Sequence, residues 1–538
     1  MSLFLRRTSR KKKLQNAFGK IPRISYFSGD MDYIRAYSDY RSTRDTDDFF
    51  IDDITWNDLG MDGVFKRINS CKSTSGEQYL YYMLRCPART KKVYDERRSL
   101  IDRMVQDPEL RLKLQLILDR LGCVRRADLC TAFTADDHRP GMLFFYLFFF
   151  LLFLSALLSL LFWESYGMLA VIGVCMVNSI LHAHGVRRVR DDFDTVNYTV
   201  AMVLALNRIR KLHDPAADEM FGDSYAALDR LRSVIRTGGV VRVTGKDLGE
   251  VLLSLLLLDL IFYEFLKNKL GRNHRDIFTV HETLGRIDAA IAVASYRASL
   301  PVFAEPELTF ASKKDIRPFI EAERMTHPLL NNAVPNDLIT DRSLLITGSN
   351  ASGKSTYLKT AALCALLAQS VCTCTAKSYR SSAFRIYSSM ALSDDLLAGE
   401  SYYIAETKSL GRIVRRSEDG GPLFCVIDEV LRGTNTVERI AASSEVLQYL
   451  AEKGCICIAA THDIELCDLL TPAYTLYHFE EQVGEDEMLF DYTIRPGKAA
   501  SRNAINLLKL IGFDESIVNG AHERANRYME RGIWTKGE

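Results

Sequence analysis

Gly348-Ser349-Asn350-Ala351-Ser352-Gly353-Lys354-Ser355-Thr356 fits G-x-x-x-x-G-K-[ST] at every fixed position. The strand-like run Ser343 to Thr347 precedes it and the helix-forming run Tyr357 to Leu367 follows, which is the context a phosphate loop needs. Glycine lets the backbone wrap closely around a phosphate while successive N–H groups point inward. The following helix adds the positive end of its dipole. All nine residues are therefore expected to cradle a nucleotide. Lys354 would reach the β- and γ-phosphates and Ser355 would ligate Mg²⁺, so ATP and Mg²⁺ are the expected cofactors.

Two further apolar runs end in chemistry-bearing residues. Leu423-Phe-Cys-Val-Ile-Asp428-Glu429 reads as a buried strand closing on two acids. Asp428 is expected in the magnesium shell, and Glu429 is expected to polarise the attacking water as general base. Cys455-Ile-Cys-Ile-Ala-Ala-Thr461-His462 ends on a polar pair, and His462 could sense the γ-phosphate or serve as a capping or core histidine. From about Thr309 to Arg495 short apolar strands alternate with helices, which signals a parallel α/β domain, and a short helical tail follows.

The order of phosphate loop, acidic strand and histidine strand resembles the ATP-binding-cassette superclass. A transporter-type Leu-Ser-Gly-Gly-Gln signature is absent from the sequence. Ser393-Asp394-Asp395-Leu396-Leu397-Ala398-Gly399-Glu400-Ser401 stands in its place, and read alone it is a polar loop. With Asp428-Glu429-Val-Leu-Arg432-Gly433-Thr434-Asn435-Thr436, Thr461-His462 and Asn350, it resembles the DNA mismatch-repair MutS family. Trp56 to Pro87 looks like the start of that family's helical core, His327-Pro328 and Val334 to Asp337 like the entry to its ATPase, and Asn503 to Met529 like its C-terminal dimerising helices. The resemblance implies an ATPase that dimerises through its nucleotide domains, with Ser401 reaching the partner's γ-phosphate, and a clamp on DNA held mainly through the phosphate backbone.

The sequence also departs from that pattern. About 50 residues precede the core, mostly basic or polar and without a Phe-x-Glu wedge, so the mismatch-reading and connector domains are expected to be missing. Tyr402 replaces a usual threonine, and Val437-Glu438-Arg439 replaces a usual aromatic, acid and glycine. Between the two helical parts lies Gly141 to Trp163, GMLFFYLFFFLLFLSALLSLLFW, with 23 residues and no charge. That is about 34 Å of helix, enough to cross a bilayer's hydrocarbon core. Glu164 to Tyr166 reads as a polar break, and Gly167 to Leu181 as a second, weaker span interrupted by Asn178 and Ser179. Arg139 and then Arg187, Arg188 and Arg190 flank the pair, so both termini and the ATPase are expected on the cytoplasmic side of a two-span membrane protein. Val251 to Leu266 carries Asp259 and Glu264 and reads as a buried soluble helix.

Lys plus Arg is 69 against 68 Asp plus Glu, which excludes a wholly basic nucleic-acid coat but not a local patch. Met1 to Lys20 is such a patch, expected as a solvated arm or as an attractor of anionic headgroups or phosphate backbone. The cysteines lack zinc-finger spacing and are expected as buried thiols. The expected fold is multidomain, an all-α core and lever region with a two-helix transmembrane hairpin, followed by an α/β ABC-type ATPase domain. The expected boundaries are a basic arm at 1–49, helical core at 50–136, hairpin at 141–184, core and lever at 185–305, ATPase at 306–498 and a dimerisation segment at 499–538. The expected partners are DNA, a second copy of the chain and the lipid bilayer. The alternative is a membrane mechanochemical or transport-associated ATPase that does not bind DNA.

Overall fold

The computed structural model describes residues 2–124, 127–130, 142–235, 255–310, 317–349, 352–390, 402–483, 488–499, 505, 508 and 511–531. The chain forms two compact units. The first holds 1–47, 66–83 and 97–299; the second holds 48–65, 84–96 and 300–538. The expected boundaries group 50–136 as the first part of a helical core. The structure instead assigns 48–65 and 84–96 to the same unit as the α/β half.

Helices are α1 (Ser2–Ala17), α2 (Asp30–Ser42), α3 (Asp53–Asp58), α4 (Met61–Ile68), α5 (Thr74–Arg85), α6 (Lys91–Gln106) and α7 (Pro108–Leu121), then α8 (Leu143–Ser159), α9 (Glu164–Arg210), α10 (Pro215–Arg230), α11 (Leu258–Arg272) and α12 (His274–Ser299). The basic segment expected as a solvated arm is helical: α1 buries Leu14, and Arg10 pairs with Asp119 of α7. Its lysines 11 to 13 remain exposed.

The core of the first unit turns on Asp288 of α12. Its carboxylate accepts from the N–H of Lys72 (2.9 Å), the N–H of Ser73 (2.8 Å) and the hydroxyl of Ser73 (2.6 Å), and so caps the start of α5 from another helix. This explains why the helical pattern from Met61 to Arg85 breaks at Asn69 to Ser73. Gly76 is required beside it, since a Cβ there would sit 2.3 Å from Asp288 Oδ2. Burial pushes the carboxyl up to about 6 in spite of these donors.

The apolar hairpin differs in detail from its sequence reading. Gly141 lies outside the described residues. The first arm, α8, has 17 residues, about 26 Å of helix and slightly short of a hydrocarbon core. The second arm is the longer one: Glu164–Arg187 is 24 residues, apolar and long enough to cross a bilayer, and it runs without a break into the rest of α9. The reversal is made by Leu160 to Trp163, through tightened bonds such as Leu161 N–H to the Leu158 carbonyl (3.1 Å). Glu164 to Tyr166, expected as the break, is the first turn of α9, where Glu164 favours the helix dipole. Gly167 admits the reversal, because a Cβ would lie 2.8 Å from the Leu160 backbone.

Two polar residues of the second arm, Asn178 and His182, face protein, while Ser179 is exposed and bonds back to the Cys175 carbonyl of its own helix. Asn178 is 0% exposed and donates to the Leu255 carbonyl at 2.7 Å. His182 meets Asp259 at 2.7 Å. These partners belong to α11 and the residues just before it, a helix that packs on both α8 and α9 and buries Leu260, Tyr263 and Leu266. The outward faces carry Phe144 at 82% and Leu161 at 78% exposure, together with Phe148, Leu158, Met168, Leu169 and Met176.

The second unit has β1 (Glu307–Thr309), β2 (Ile320–Met325), β3 (Asn336–Thr340), β4 (Ser343–Thr347), α13 (Lys354–Val371), β5 (Ser378–Ser382), β6 (Arg385–Ser389), α14 (Tyr402–Ser417), β7 (Leu423–Asp428), α15 (Thr436–Glu452), β8 (Ile456–Thr461), α16 (Glu465–Leu470), β9 (Tyr474–Val483), β10 (Met488–Pro496) and α17 (Glu515–Arg531). The larger sheet has the order β10-β9-β4-β8-β7-β6, parallel except for the β9–β10 hairpin. The smaller has the order β1-β5-β2-β3. The strands β4, β7 and β8 are buried on both faces, as the unbroken apolar runs require. α3 docks on β6, where Asp58 accepts from the Ser388 hydroxyl (2.6 Å) and the Met390 N–H (3.1 Å).

Removing the Asp288 carboxylate takes the acceptor from the buried N–H and hydroxyl of Ser73 and from the half-buried N–H of Lys72. We expect Asp288→Ala to lower stability by about 3 kcal/mol, read as a drop in the denaturant midpoint of the protein. An unchanged midpoint would contradict the capping role.

Candidate functional site

Parallel pairing brings the three predicted elements to one edge. Thr347 of β4 lies opposite Thr461 of β8, and Asp428 of β7 lies opposite Ala460. The loop after β4, the acids after β7 and His462 after β8 therefore leave the sheet at the same level. The Glu429 N–H continues the pairing by donating to the Ala460 carbonyl at 2.9 Å.

The loop has the backbone that its glycines foretell. Gly348 has φ 139° and Gly353 φ 103°, a left-handed region that disfavours side chains. A Cβ at Gly348 would lie 2.9 Å from the Phe479 carbonyl oxygen. Ser352 donates to the Ser349 carbonyl at 2.7 Å and tightens the turn. Lys354, only 2% exposed at the start of α13, donates to the carbonyls of Gly348 and Ser349, at 2.8 Å to the latter. Its charge is thus held inside the loop. Ser355 and Thr356 follow on the first turn of α13. Asn350, Ala351 and Ser401 lie outside the described residues, as does the rest of the Ser393 to Ser401 segment.

The acids are differentiated by their surroundings. Burial pushes Asp428 above the usual carboxylate range, the Ser355 hydroxyl opposes this, and the charge of Glu429 adds to it. Glu429 is also buried, but the hydrogen bond from His462 and the nearby Arg432 and Lys354 outweigh burial and hold it below the usual range. Its carboxylate pairs with Arg432 and, at 3.4 Å, with His462 Nδ1. The same contact raises His462. Hence Glu429 is ionised near neutrality and Asp428 is a half-buried carboxylate beside a hydroxyl, a donor set suited to a hard divalent cation.

Three residues in this cluster were not singled out in the sequence as site residues. Asp463, next to His462, accepts from Nη2 and Nε of Arg439 from α15, at 2.6 and 2.9 Å. Glu406 of α14 accepts from the Arg432 N–H at 3.2 Å. Arg439 was legible only as a departure from a pattern, and Asp463 only as a neighbour of His462. Glu406 gave no signal, because it lies in an amphipathic helix where acids are ordinary.

The sequence model of MutS domain V matches residues 344–529, which carry every element of this cluster. Residues 344–529 thus carry a MutS domain V. The chain is similar to the DNA mismatch repair protein MutS of Carboxydothermus hydrogenoformans, 30% identical over 281 residues, covering 48% of this chain and 32% of that one. It is similar also to human MutS protein homolog 4, 31% identical over 262 residues, covering 46% and 27%. DNA mismatch repair protein MutS 2 of Halobacterium salinarum is 32% identical over 216 residues, covering 38% and 25%. The chain thus aligns with a third or less of the length of these MutS relatives.

Since the Glu429 carboxylate is the first cause of the raised His462 value, Glu429→Gln should let the imidazole fall back toward its ordinary titration range. An NMR titration of the His462 ring reads this directly. An unmoved His462 would mean that the pair does not form in solution.

Proposed function

We propose that this MutS-family chain hydrolyses ATP with Mg²⁺ and uses the cycle to close a dimer on DNA. The observation that carries the reading is the convergence of Lys354, Asp428, Glu429 and His462 at one sheet edge around a complete phosphate-loop motif. Lys354 would leave its loop carbonyls for the β- and γ-phosphates. Ser355 and Asp428 would hold the magnesium ion, whose part is to neutralise phosphate charge. Glu429, ionised and anchored, would take the proton of the attacking water, and His462 would orient that carboxylate. Ser401 of one subunit would meet the γ-phosphate bound by the other, with residues 499–538 helping the pair associate. DNA contact would be largely independent of sequence, through the phosphate backbone.

The membrane forms part of the same reading. The outward apolar faces of α8 and α9 support insertion, since so large an apolar surface is unusual on a water-exposed monomer. The Asn178 amide N–H and the His182 ring each meet a protein partner, which supports the second span. Exposed Trp163 and Tyr166 at the tip suit the far interface, and exposed Arg187 suits the near one. Both termini and the nucleotide site would then lie on the cytoplasmic side.

Two measurements test these assignments. Lys354→Ala should abolish ATP turnover and nucleotide binding, because it removes the charge opposite the β- and γ-phosphates. Turnover equal to that of the unaltered chain would refute the phosphate-loop role. Ser165→Cys at the hairpin tip should react with an impermeant thiol reagent on intact expressing cells. Absence of labelling, with complete extraction by alkaline carbonate, would refute the hairpin.

A further inference from the structure

The backbone just beyond the acid pair is strained. Glu429 has φ 58° and Leu431 φ 57°, and neither is glycine. Such residues cost roughly 1–3 kcal/mol each and persist only where the surroundings over-determine them. Here the loop is pinned from several sides. Val430 and Leu431 are buried in the cluster around Ile427, Leu447 and Leu450. The Val430 carbonyl accepts from Ser443 of α15 at 3.2 Å. Gly433 lies flat against Tyr403 of α14, so that a Cβ there would come within 2.8 Å of the tyrosine Cβ.

The remaining pin is Glu406, one turn further along α14 and only 6% exposed. Alternating positive φ turns the N–H groups of Leu431 and Arg432 to the same side, a concavity of the kind that holds anions. Glu406 fills it: its Oε1 accepts from the Arg432 N–H at 3.2 Å, and the Leu431 N–H also stabilises its charge. A buried carboxylate that touches no predicted nucleotide ligand is thus used to fix the backbone on which Glu429 is mounted. The charged groups facing Glu429 are Arg432 on its own loop, His462 after β8, Lys354 from α13, Asp428 on β7 and Glu406 from α14.

We propose that Glu406 is a positioning residue for the hydrolytic step, its carboxylate locking the Glu429–Gly433 loop to α14 so that the base keeps its aim. This rests on the hydrolysis reading above.

The test measures ATP turnover against ATP concentration for the full chain, Lys354→Ala, Glu406→Ala and Glu406→Gln. Glu406→Ala should lower kcat at least about tenfold, since misplacing a catalytic group by an ångström has effects of that order or more. Its KM for ATP should change by less than about threefold, as expected when a transition-state interaction is lost. Glu406→Gln keeps an oxygen for the Arg432 N–H and should recover much of the loss. Wild-type turnover in Glu406→Ala would overturn the proposal. So would a glutamine variant as impaired as alanine, and the glutamine variant decides the matter if the alanine variant does not fold. If the unaltered chain is no faster than Lys354→Ala, the hydrolysis reading itself fails, and this inference with it.

Discussion

Everything proposed for the nucleotide site depends on the parallel register of β4 against β8 and of β8 against β7. Side chains in a parallel ladder are levelled by the hydrogen-bond register, so a one-residue slip would turn Asp428 to the other face of the sheet and carry His462 away from Glu429. The register is fixed by apolar residues buried on both faces, and by Ser343, whose hydroxyl donates to the Cys455 carbonyl and accepts from the Cys457 N–H across the β4–β8 gap. A hydroxyl at the start of the strand thus helps to set the chemistry at its end, five residues away.

The parts of this arrangement legible in the sequence were those with local rules. The phosphate loop has a fixed spacing, and each buried strand announces itself by length and ends on a polar pair. The α/β alternation and most helices followed from apolar periodicity. What escaped was whatever depends on two distant segments meeting. Glu406 becomes significant only because the loop after Glu429 folds its N–H groups toward α14. Asp288 becomes a helix cap only because α12 passes the start of α5. Neither pairing leaves a trace in spacing.

The hairpin shows the same division. Its apolar character was plain from the sequence, but the reversal was not. Acidic and polar residues at 164–166 read as a break, yet an acid is welcome in the first turn of a helix, and the turn formed instead among apolar residues just before Gly167. Asn178 looked like an interruption of a lipid-facing helix. It and His182 meet Leu255 and Asp259, and their polarity marks a face of the arm that meets protein.

The length of α9 has one more consequence. Forty-seven residues without a break make a rod of about 70 Å, of which the 23 residues beyond Arg187 account for about 35 Å. Such a rod has no joint at which motion can be absorbed. On the membrane reading, a change in bilayer thickness that tilts the apolar arm by about 10° sweeps the far end of the helix sideways by about 6 Å, given that rise per residue. The helical unit would then register the mechanical state of the bilayer as a displacement, with the lipid acting as the fulcrum.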